Sequence, residues 1–335
     1  MRIGVLEYTE LGQSKIKISQ FALGCWPFAG GELWGKQDDS DSIDAVNESI
    51  ENGINFFDTA PGYGDGRSEE VLGNALVNKR QSNVIGTKVP PSDLSPKNIR
   101  RACEDSLKRL KTDYIDLYQI HWPNHDLSIL DSVNELKKLK DEGKILTIGV
   151  SNFGKNDFSE ISELVEVVTN QLPYNALWRA IEFEIKPVCI SKQSGIICYS
   201  PLAQGLLTGR YRKVEDVPDG VSRSRLFSKS TSKLCRHNDE GCEDLLFKCI
   251  DKIVDLSNSY DIDPAVMSLC WLKKQKGVIS MLVGARNKNE VLLNKTSFEG
   301  EISDEISELF NKITNPIKAH IGDNPDMWNA ISEYR

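Results

Sequence analysis

The stretch that decides the fold is "INFFDTAPGYGDGRSEEVLG", residues 54–73, in which an apolar run gives way to a polar, glycine-rich one. The opening of this stretch predicts a buried strand, because apolar and aromatic residues dominate it. Asp58 follows at once, and Tyr63 comes later in a turn rich in glycine. An isolated aspartate here would simply cap a turn, so the meaning of this pair depends on what other strands bring to the same place.

Strand-like runs of β-branched and aromatic residues alternate with helical patterns along the whole chain. The predicted strands are 21–25, 54–59, 83–88, 114–122, 145–153, 166–171, 195–202 and 277–285. The helical patterns carry start and stop signals: Ser95 and Pro96 open one helix, and Gly143 closes another. This alternation predicts an α/β fold, a (β/α)₈ TIM barrel rather than an open doubly wound sheet.

Two segments interrupt the alternation. Residues 7–20 predict a short β-hairpin ahead of the first barrel strand, and residues 203–241, rich in Ser, Arg, Gly and Asp, predict a long loop after strand seven. In a barrel, the loops that follow strands lie at the C-terminal face, where the chemistry takes place. No convincing linker divides the chain, so we expect a single domain over residues 1–335.

Composition excludes several classes of function. The chain is 39% hydrophobic with no apolar run long enough to span a membrane, which predicts a cytoplasmic protein. A net charge of −8 offers no basic face to nucleic acid. The 8 cysteines form no C-x-x-C pair and predict reduced thiols. The stretch "CRHNDEGC" matches no standard zinc spacing, so no metal site is expected.

The barrel prediction brings four titratable side chains to one rim. Asp58, Lys88 and His121 end the second, third and fourth barrel strands, and Tyr63 lies on the loop after the second. Taken alone, each has an ordinary structural explanation, such as a solvated strand end or a core histidine. The joint placement at successive strand ends predicts a catalytic site.

Five motifs occur in order along nearly the whole chain: "FDTAPGYGDGRSEEVLG", "SLKRLKTDYIDLYQIHWP", "GKILTIGVSNF", "YSPLAQGLLTGRY" and "LVGARNKNEVLLN". With these motifs the sequence resembles the aldo-keto reductase superfamily, especially its bacterial and plant members, with kinship to potassium-channel β subunits. The resemblance implies a catalytic tetrad made of Asp58, Tyr63, Lys88 and His121. It also implies that Ser151, Asn152 and Gln171 hold the nicotinamide carboxamide, and that Tyr199 stacks on the nicotinamide ring.

The chemistry of carbonyl reduction needs these residue types. The alkoxide left by hydride transfer must be protonated, and a phenol of ordinary pKa donates its proton reluctantly at pH 7. A lysine ammonium about 4 Å away would stabilise the Tyr63 phenolate by up to ~4 kcal/mol and so lower the pKa of the phenol. Asp58 would keep Lys88 charged, and His121 would donate to the substrate oxygen.

Hydride transfer also requires a cofactor, because no side chain supplies a hydride. No G-x-G-x-x-G follows a predicted strand, which disfavours a Rossmann site. The expected cofactor is NADPH/NADP⁺. Its expected anchors after strand seven and around the last βα turn are Ser200, Leu202, Gly205, Leu207, Arg210, Gly284 and Asn294.

The adenosine end of this expected site leaves two readings open. Arg286 or Arg223 would fork onto a 2′-phosphate, aided by helix-start amides near 284–290. Glu290 and Leu293 stand where relatives usually carry Gln or Arg and then Glu, and a carboxylate there would instead favour an unphosphorylated ribose. The stretch "GVSRSRLF", which carries Arg223, also reads as a solvated loop.

Aromatic side chains are expected to wall a pocket for a small carbonyl substrate. Trp26 and Trp122 flank the strand-end residues, whereas Trp34 would either line the pocket or pack its loop onto the barrel. Phe28 and Phe153 are further candidates.

Two functions are consistent with the predicted site. The first is an NADPH-dependent reductase of aldehydes or ketones. The second is a nucleotide-binding regulatory module like the potassium-channel β subunits, with slow residual reductase activity. The sequence shows no long N-terminal extension that would reach a partner, which favours the enzyme.

Overall fold

The computed structural model describes residues 6–329; residues 1–5 and 330–335 of the expected single domain lie outside this range. The chain opens with an antiparallel hairpin, β1 (Tyr8–Glu10) and β2 (Lys17–Ser19). Leu11 and Ile18 of this hairpin are fully buried against apolar side chains from inside the barrel. The predicted hairpin is therefore confirmed, and it closes one end of the barrel.

Eight parallel strands form the closed barrel that the sequence predicts. Each strand pairs with the next along the chain, and the last pairs with the first. The strands are β3 (Phe21–Gly24), β4 (Phe56–Asp58), β5 (Val84–Val89), β6 (Ile115–Ile120), β7 (Ile145–Ser151), β8 (Thr169–Pro173), β9 (Gly195–Tyr199) and β10 (Val278–Gly284).

Helices surround this barrel and connect its strands. They are α1 (Gly31–Trp34), α2 (Asp39–Glu51), α3 (Arg67–Ala75), α4 (Pro96–Leu110), α5 (Ile129–Asp141), α6 (Lys155–Leu164), α7 (Ile185–Ser191), α8 (Asp219–Ser222), α9 (Glu243–Tyr260), α10 (Pro264–Lys273), α11 (Lys288–Phe298) and α12 (Asp304–Ile321). The sequence signals hold: Pro96 opens α4, and Gly143, at φ 75°, ends the turn after α5.

The strands bury both of their faces, which explains their nearly continuous apolar sequences. On β6, Leu117 points into the barrel, whereas its neighbour Tyr118 packs among the surrounding helices. The inward positions change from apolar to polar towards the C-terminal end of the barrel, where Leu117 is followed by Gln119. This change sets a polar layer directly above the hydrophobic interior.

The predicted long loop connects β9 to α9 and contains α8 and short 3₁₀ turns. It is anchored by Leu226 and Phe227, which are fully buried. The backbone N–H of Arg225 donates to the carbonyl of Met327, so the loop is also tied to the segment after α12. Among the residues described, no helix combines the length and apolar character needed to cross a membrane.

Candidate active site

The four residues of the expected tetrad meet at the C-terminal end of the barrel. Asp58 ends β4, Lys88 lies near the end of β5, and His121 directly follows β6. The Lys88 ammonium donates to Asp58 Oδ1 at 2.6 Å and lies 3.4 Å from the Tyr63 hydroxyl. The Tyr63 and His121 rings meet edge to face, with centroids 6.1 Å apart. Strand ends remote in sequence are thus brought together as predicted.

The Asp58–Lys88 ion pair is almost completely shielded from solvent. Lys88 Nζ also donates to the carbonyl of Thr59 at 2.9 Å. Burial by itself lowers the pKa of Lys88, but the adjacent Asp58 carboxylate and Tyr63 together outweigh it, and the net pKa is raised. Lys88 therefore stays charged at neutral pH.

The pKa of Tyr63 moves in the opposite direction to the one expected from the sequence. Burial of the phenol raises its pKa, and the Lys88 ammonium lowers it without compensating fully. Asp58, in contact with the same ammonium, adds a smaller effect that also raises the pKa of the phenol. Tyr63 is consequently protonated at neutral pH and has a proton to give.

His121 is neutral at physiological pH. Burial and the nearby Lys88 charge lower the pKa of its imidazole to about 3. Its backbone N–H donates to the carbonyl of Val89, which fixes the residue against β5. A neutral imidazole carries one N–H, so His121 can donate a hydrogen bond without carrying charge.

A buried cluster that the sequence analysis missed holds the Tyr63 loop. The Glu69 carboxylate, fully buried on α3, accepts from Thr87 Oγ1 and Arg109 Nε, each at 2.6 Å. Arg109 also lies over Gly66, at φ 91°, where a Cβ would approach the arginine Cδ to 2.6 Å. The cluster ties the end of the Tyr63 loop to the strand that carries Lys88, and only glycine fits at position 66.

Two buried amides complete the surroundings of Asp58. Its Oδ2 accepts from Gln171 Nε2 at 2.8 Å and from Gln119 Nε2 at 3.2 Å. Gln171 was expected beside the nicotinamide, and here its amide nitrogen is bound to the carboxylate. Gln119 was missed, although period-two alternation places it inward, two residues before His121.

Three further predicted residues join the same polar layer. Asn152, at φ 62°, donates to the carbonyl of His121 at 3.0 Å and to Ser151 Oγ at 3.1 Å. Tyr199 donates through its hydroxyl to Asn152 Oδ1 at 3.0 Å. The residues expected around a nicotinamide therefore form one connected group with the tetrad.

The loop after β9 has an unusual backbone. Ser200, Ala203 and Gln204 all have positive φ values between 48° and 56°. Each such conformation costs of order 1 kcal/mol for a residue with a side chain, and strain of this kind is concentrated at functional sites. Of the expected anchors, Leu202 accepts at its carbonyl from the N–H groups of Gly205 and Leu207.

The arginine expected at the last βα turn is held by a neighbouring loop. Arg286 donates through Nε to Gln37 Oε1 at 3.0 Å and through Nη2 to the carbonyl of Lys36. Nearby, Asn294 lies 3.4 Å from the carbonyl of Gly284. Arg286, Gly284 and Asn294 are thus close together, as expected, and the guanidinium already has partners.

The backbone amides at the start of α11 were predicted to be available to an anion, and two of them are not. Asn287 Oδ1 accepts from the N–H of Glu290, and Glu290 Oε2 accepts from the N–H of Arg286 at 2.8 Å. The first bond caps α11 at its N-cap residue, and the second resembles a capping box except that Glu290 binds the N–H of Arg286, one residue before the N-cap. The expectation of available amides near 284–290 is wrong for these two, because the side chains of the helix itself bind them.

Three arginines nevertheless fit a phosphate-bearing cofactor. Arg210 lies over the Tyr211 ring, and Arg223 lies over the Trp328 ring while its Nε donates to the carbonyl of Gly220. Within residues 6–329, neither these two nor Arg286 forms an ion pair with a carboxylate. Guanidinium groups without a carboxylate partner are suited to phosphate oxygens.

Aromatic side chains border the Tyr63 hydroxyl. Trp26 stacks on the Tyr63 ring at 5.7 Å between centroids, and Trp34 meets Trp26 edge-on at 5.4 Å. Trp122, directly after His121, is half-buried at the same end of the barrel. The other two candidates, Phe28 and Phe153, are completely buried in the core between barrel and helices, so their assignment to the pocket is wrong.

Known proteins are similar to this chain along nearly its whole length. The NADH-specific methylglyoxal reductase of Escherichia coli (strain K12) is 32% identical over 336 residues, covering 92% of this chain and 98% of its own. A probable voltage-gated potassium channel subunit beta of Oryza sativa subsp. japonica is 27% identical, over 96% of this chain and 98% of its own.

Solved structures match along nearly the full length. The glycerol dehydrogenase AKR11B4 from Gluconobacter oxydans has a TM-score of 0.80 at 29% identity, covering 95% of this chain and 97% of its own. An aldo-keto reductase from Klebsiella pneumoniae in complex with NADPH has a TM-score of 0.72 at 26% identity, covering 94% and 96%. The model of the "Aldo/keto reductase family" matches residues 20–315, and the chain therefore belongs to the aldo/keto reductase family of oxidoreductases.

Proposed function

We propose that this protein reduces the carbonyl group of small aldehydes or ketones to an alcohol, with Tyr63 as the proton donor. The observation that carries the proposal is the position of the Tyr63 hydroxyl, 3.4 Å from a fully buried lysine that is charged through Asp58. Trp26 stacks on the ring of Tyr63, and Trp34 meets Trp26 edge-on.

The nicotinamide cofactor, when bound, supplies the hydride that is added to the carbonyl carbon. The carbonyl oxygen then gains negative charge and takes the proton of Tyr63, and Lys88 stabilises the phenolate that is left. Solvent returns a proton to Tyr63 at the end of the cycle. His121, neutral at pH 7, donates a hydrogen bond to the same oxygen and orients it.

The residues that would hold the nicotinamide are Ser151, Asn152, Gln171 and Tyr199. In support, their side chains are buried or half-buried in one connected group with the tetrad. Gln171 Nε2 and the Tyr199 hydroxyl are bound to other side chains, so a carboxamide at these two groups would have to compete with those contacts.

We propose NADPH as the preferred form of the cofactor, with Arg286 as the main contact for its 2′-phosphate and Arg223 and Arg210 as further cationic groups. The absence of carboxylate partners for these arginines within residues 6–329 supports this assignment. Glu290 opposes it, because its carboxylate binds the backbone N–H of Arg286 itself. One full-length relative is named as NADH-specific, so both nucleotides belong in every assay.

The decisive experiment follows absorbance at 340 nm with NADPH or NADH and a panel of aldehydes and ketones. Methylglyoxal belongs in the panel because that relative is named for it, and glyceraldehyde is included as a hydroxy-aldehyde. Turnover that disappears in Tyr63→Phe supports the proposal. The proposal is contradicted if Tyr63→Phe keeps a rate within about tenfold of wild type, or if wild type turns over none of the carbonyl compounds.

A second candidate function rests on the likeness to the rice protein named as a probable channel β subunit. In that case the barrel would bind the nucleotide tightly and act chiefly on a partner. Tight nucleotide binding without turnover on the panel would favour this alternative over the enzyme.

A further inference from the structure

We propose that Gln119 is a positioning residue for the tetrad: its buried amide holds Oδ2 of Asp58 so that Oδ1 faces Lys88. The proposal rests on the proposed function for its catalytic meaning, whereas its structural part can be tested without turnover. Gln119 does not contact Tyr63 or His121 through any hydrogen bond seen among residues 6–329 and acts only through the carboxylate.

The strand register places Gln119 where it can act on this pair. Gln119 on β6 is the direct neighbour of Lys88 on β5, and both point into the barrel. From there Nε2 reaches Asp58 Oδ2 at 3.2 Å, while Lys88 Nζ binds Oδ1 at 2.6 Å. The two oxygens of one carboxylate are thereby bound by donors from two neighbouring strands.

The orientation of the Gln119 amide is dictated by its partner. A carboxylate only accepts, so the NH₂ group must face Asp58 and Oε1 must point away. Oε1 is indeed buried without a hydrogen-bond partner among the described residues. Turning the amide around would place two acceptor oxygens against each other, so the orientation has no alternative.

Room for this side chain is provided on the adjacent strand β7. Gly149 pairs with Gln119, and a Cβ at position 149 would lie 3.1 Å from Gln119 Cγ and 2.6 Å from Thr169 Oγ1. Thr169 thus borders the same space as Gln119 without touching Asp58 through a hydrogen bond. It offers a matched control inside the same barrel layer.

A buried ion pair persists only when hydrogen bonds satisfy the remaining lone pairs. Asp58 has two such donors at Oδ2, Gln171 at 2.8 Å and Gln119. If the Gln171 amide binds the nicotinamide as proposed, Gln119 is the donor that remains on Asp58 Oδ2. Losing it removes one of the two donors that stabilise the ionised carboxylate, and with it part of the support for the charged Lys88.

Few other titratable groups face this carboxylate. Lys88 contacts it from β5, Tyr63 lies beyond Lys88 on the loop after β4, and Cys25 follows β3. His121 faces Lys88 from the end of β6. Burial raises the pKa of Cys25 well above its usual range, so this thiol stays neutral through the range tested below.

The test compares wild type with Gln119→Met, Gln119→Glu and Thr169→Val over pH 4 to 8. Gln119→Met keeps the length of the side chain and removes the donor, and Gln119→Glu replaces the donor with a second acidic group. The first readout is the unfolding midpoint at each pH, and the second is kcat/KM with any carbonyl that turns over.

The unfolding midpoint of Gln119→Met should lie below that of wild type at neutral pH, and the gap should narrow as the pH falls, because the lost hydrogen bond supports only the charged form of the pair. The acid limb of kcat/KM should lie about one to two pH units higher in Gln119→Met than in wild type. A larger displacement is expected for Gln119→Glu, because two carboxyl groups would share one site. Thr169→Val should keep the wild-type dependence on pH. A residue that merely fills space would instead lower stability equally at every pH.

The proposal is overturned if Gln119→Met shows that equal loss, or if Thr169→Val shifts with pH as much as Gln119→Met does. The two proposals can be separated. A wild type that reduces no carbonyl refutes the proposed function, while its unfolding midpoints still decide whether Gln119 supports Asp58.

Discussion

The two ends of the candidate dinucleotide site are built differently. At the catalytic end, Asp58 and Lys88 are buried in the barrel, and several strands supply their partners. At the adenosine end, Arg286 is held by the loop at residues 36–37, and Leu293 on α11 is 75% exposed. We therefore expect buried neighbours to govern the chemistry and a few more exposed side chains to govern the choice of nucleotide.

This difference predicts how substitutions behave. Changes at the catalytic end should cost turnover or stability by large factors, because each group there has buried partners that are left unpaired. Changes at the adenosine end should alter affinity and leave the fold untouched, because solvent replaces a lost partner.

The largest effect is expected for Tyr63→Phe. Removing the hydroxyl removes the proton donor, so kcat should fall by about 10²- to 10⁴-fold, while the dissociation constant of the nucleotide changes little. Stopped-flow or steady-state rates at 340 nm and fluorescence titration measure the two quantities. Tyr260→Phe, at an exposed position on α9, is the matched control and should behave as wild type.

Lys88→Met tests whether the buried pair acts as a unit. The substitution leaves Asp58 buried without its cation, so the free energy of unfolding should fall by about 3–5 kcal/mol. Adding Asp58→Asn removes the unpaired charge and should restore part of that loss. Urea unfolding of the two single variants and the double variant gives the coupling energy. Strictly additive losses would mean that the two side chains do not support each other.

A pH prediction follows from His121. With a folded-state pKa of about 3 against an ordinary value near 6.5, the unfolded chain binds the extra proton between these two values. Stability contributed by the neutral imidazole is therefore present above about pH 6.5 and declines as the pH falls, by at most about 1.4 kcal/mol per unit.

His121→Asn should flatten this dependence, as urea unfolding between pH 4 and 7 would reveal. His320→Asn, on an exposed part of α12, serves as the control and should retain the wild-type slope. An unchanged slope in His121→Asn would mean that His121 is protonated in the folded protein.

At the adenosine end, smaller and opposite effects are expected from two neighbouring side chains. Arg286→Ala should raise the dissociation constant of NADPH by about 10- to 150-fold and scarcely change that of NADH, because a charge-assisted contact is worth roughly 1.5–3 kcal/mol. Glu290→Gln should tighten NADPH by up to about tenfold, because it removes a like charge from the phosphate.

Lys295→Ala, which removes one positive charge from the exposed side of α11, is the control for both. Equal affinity of wild type for NADH and NADPH, or an equal loss of both in Arg286→Ala, would refute the NADPH assignment. If Glu290→Gln alone creates a preference for NADPH, Glu290 is what sets the choice of nucleotide in the natural sequence.

The sequence by itself determined the barrel and the place of the four candidate catalytic residues. Apolar strand-like runs that alternate with capped helices predict a (β/α)₈ barrel. Because the parallel strands of a barrel all end at one face, its topology alone brings Asp58, Lys88 and His121 together. The same alternation of strand residues also predicts that Gln119, two residues before His121, points into the barrel. An amide inside an apolar strand does not by itself indicate a function, because its hydrogen-bond partner is known only from the structure.

Only the tertiary structure decided how these groups are paired. The direction in which the pKa of Tyr63 shifts depends on how deeply the phenol is buried and on Asp58, which contacts the Lys88 ammonium. The spacing of residues along the chain reveals neither of these. Likewise, the side chains of Asn287 and Glu290 bind backbone amides at the start of α11, and only the orientation of these side chains in the structure shows it. Topology fixes where side chains meet, while burial and hydrogen-bond partners, which depend on contacts between distant segments, fix their charge and availability.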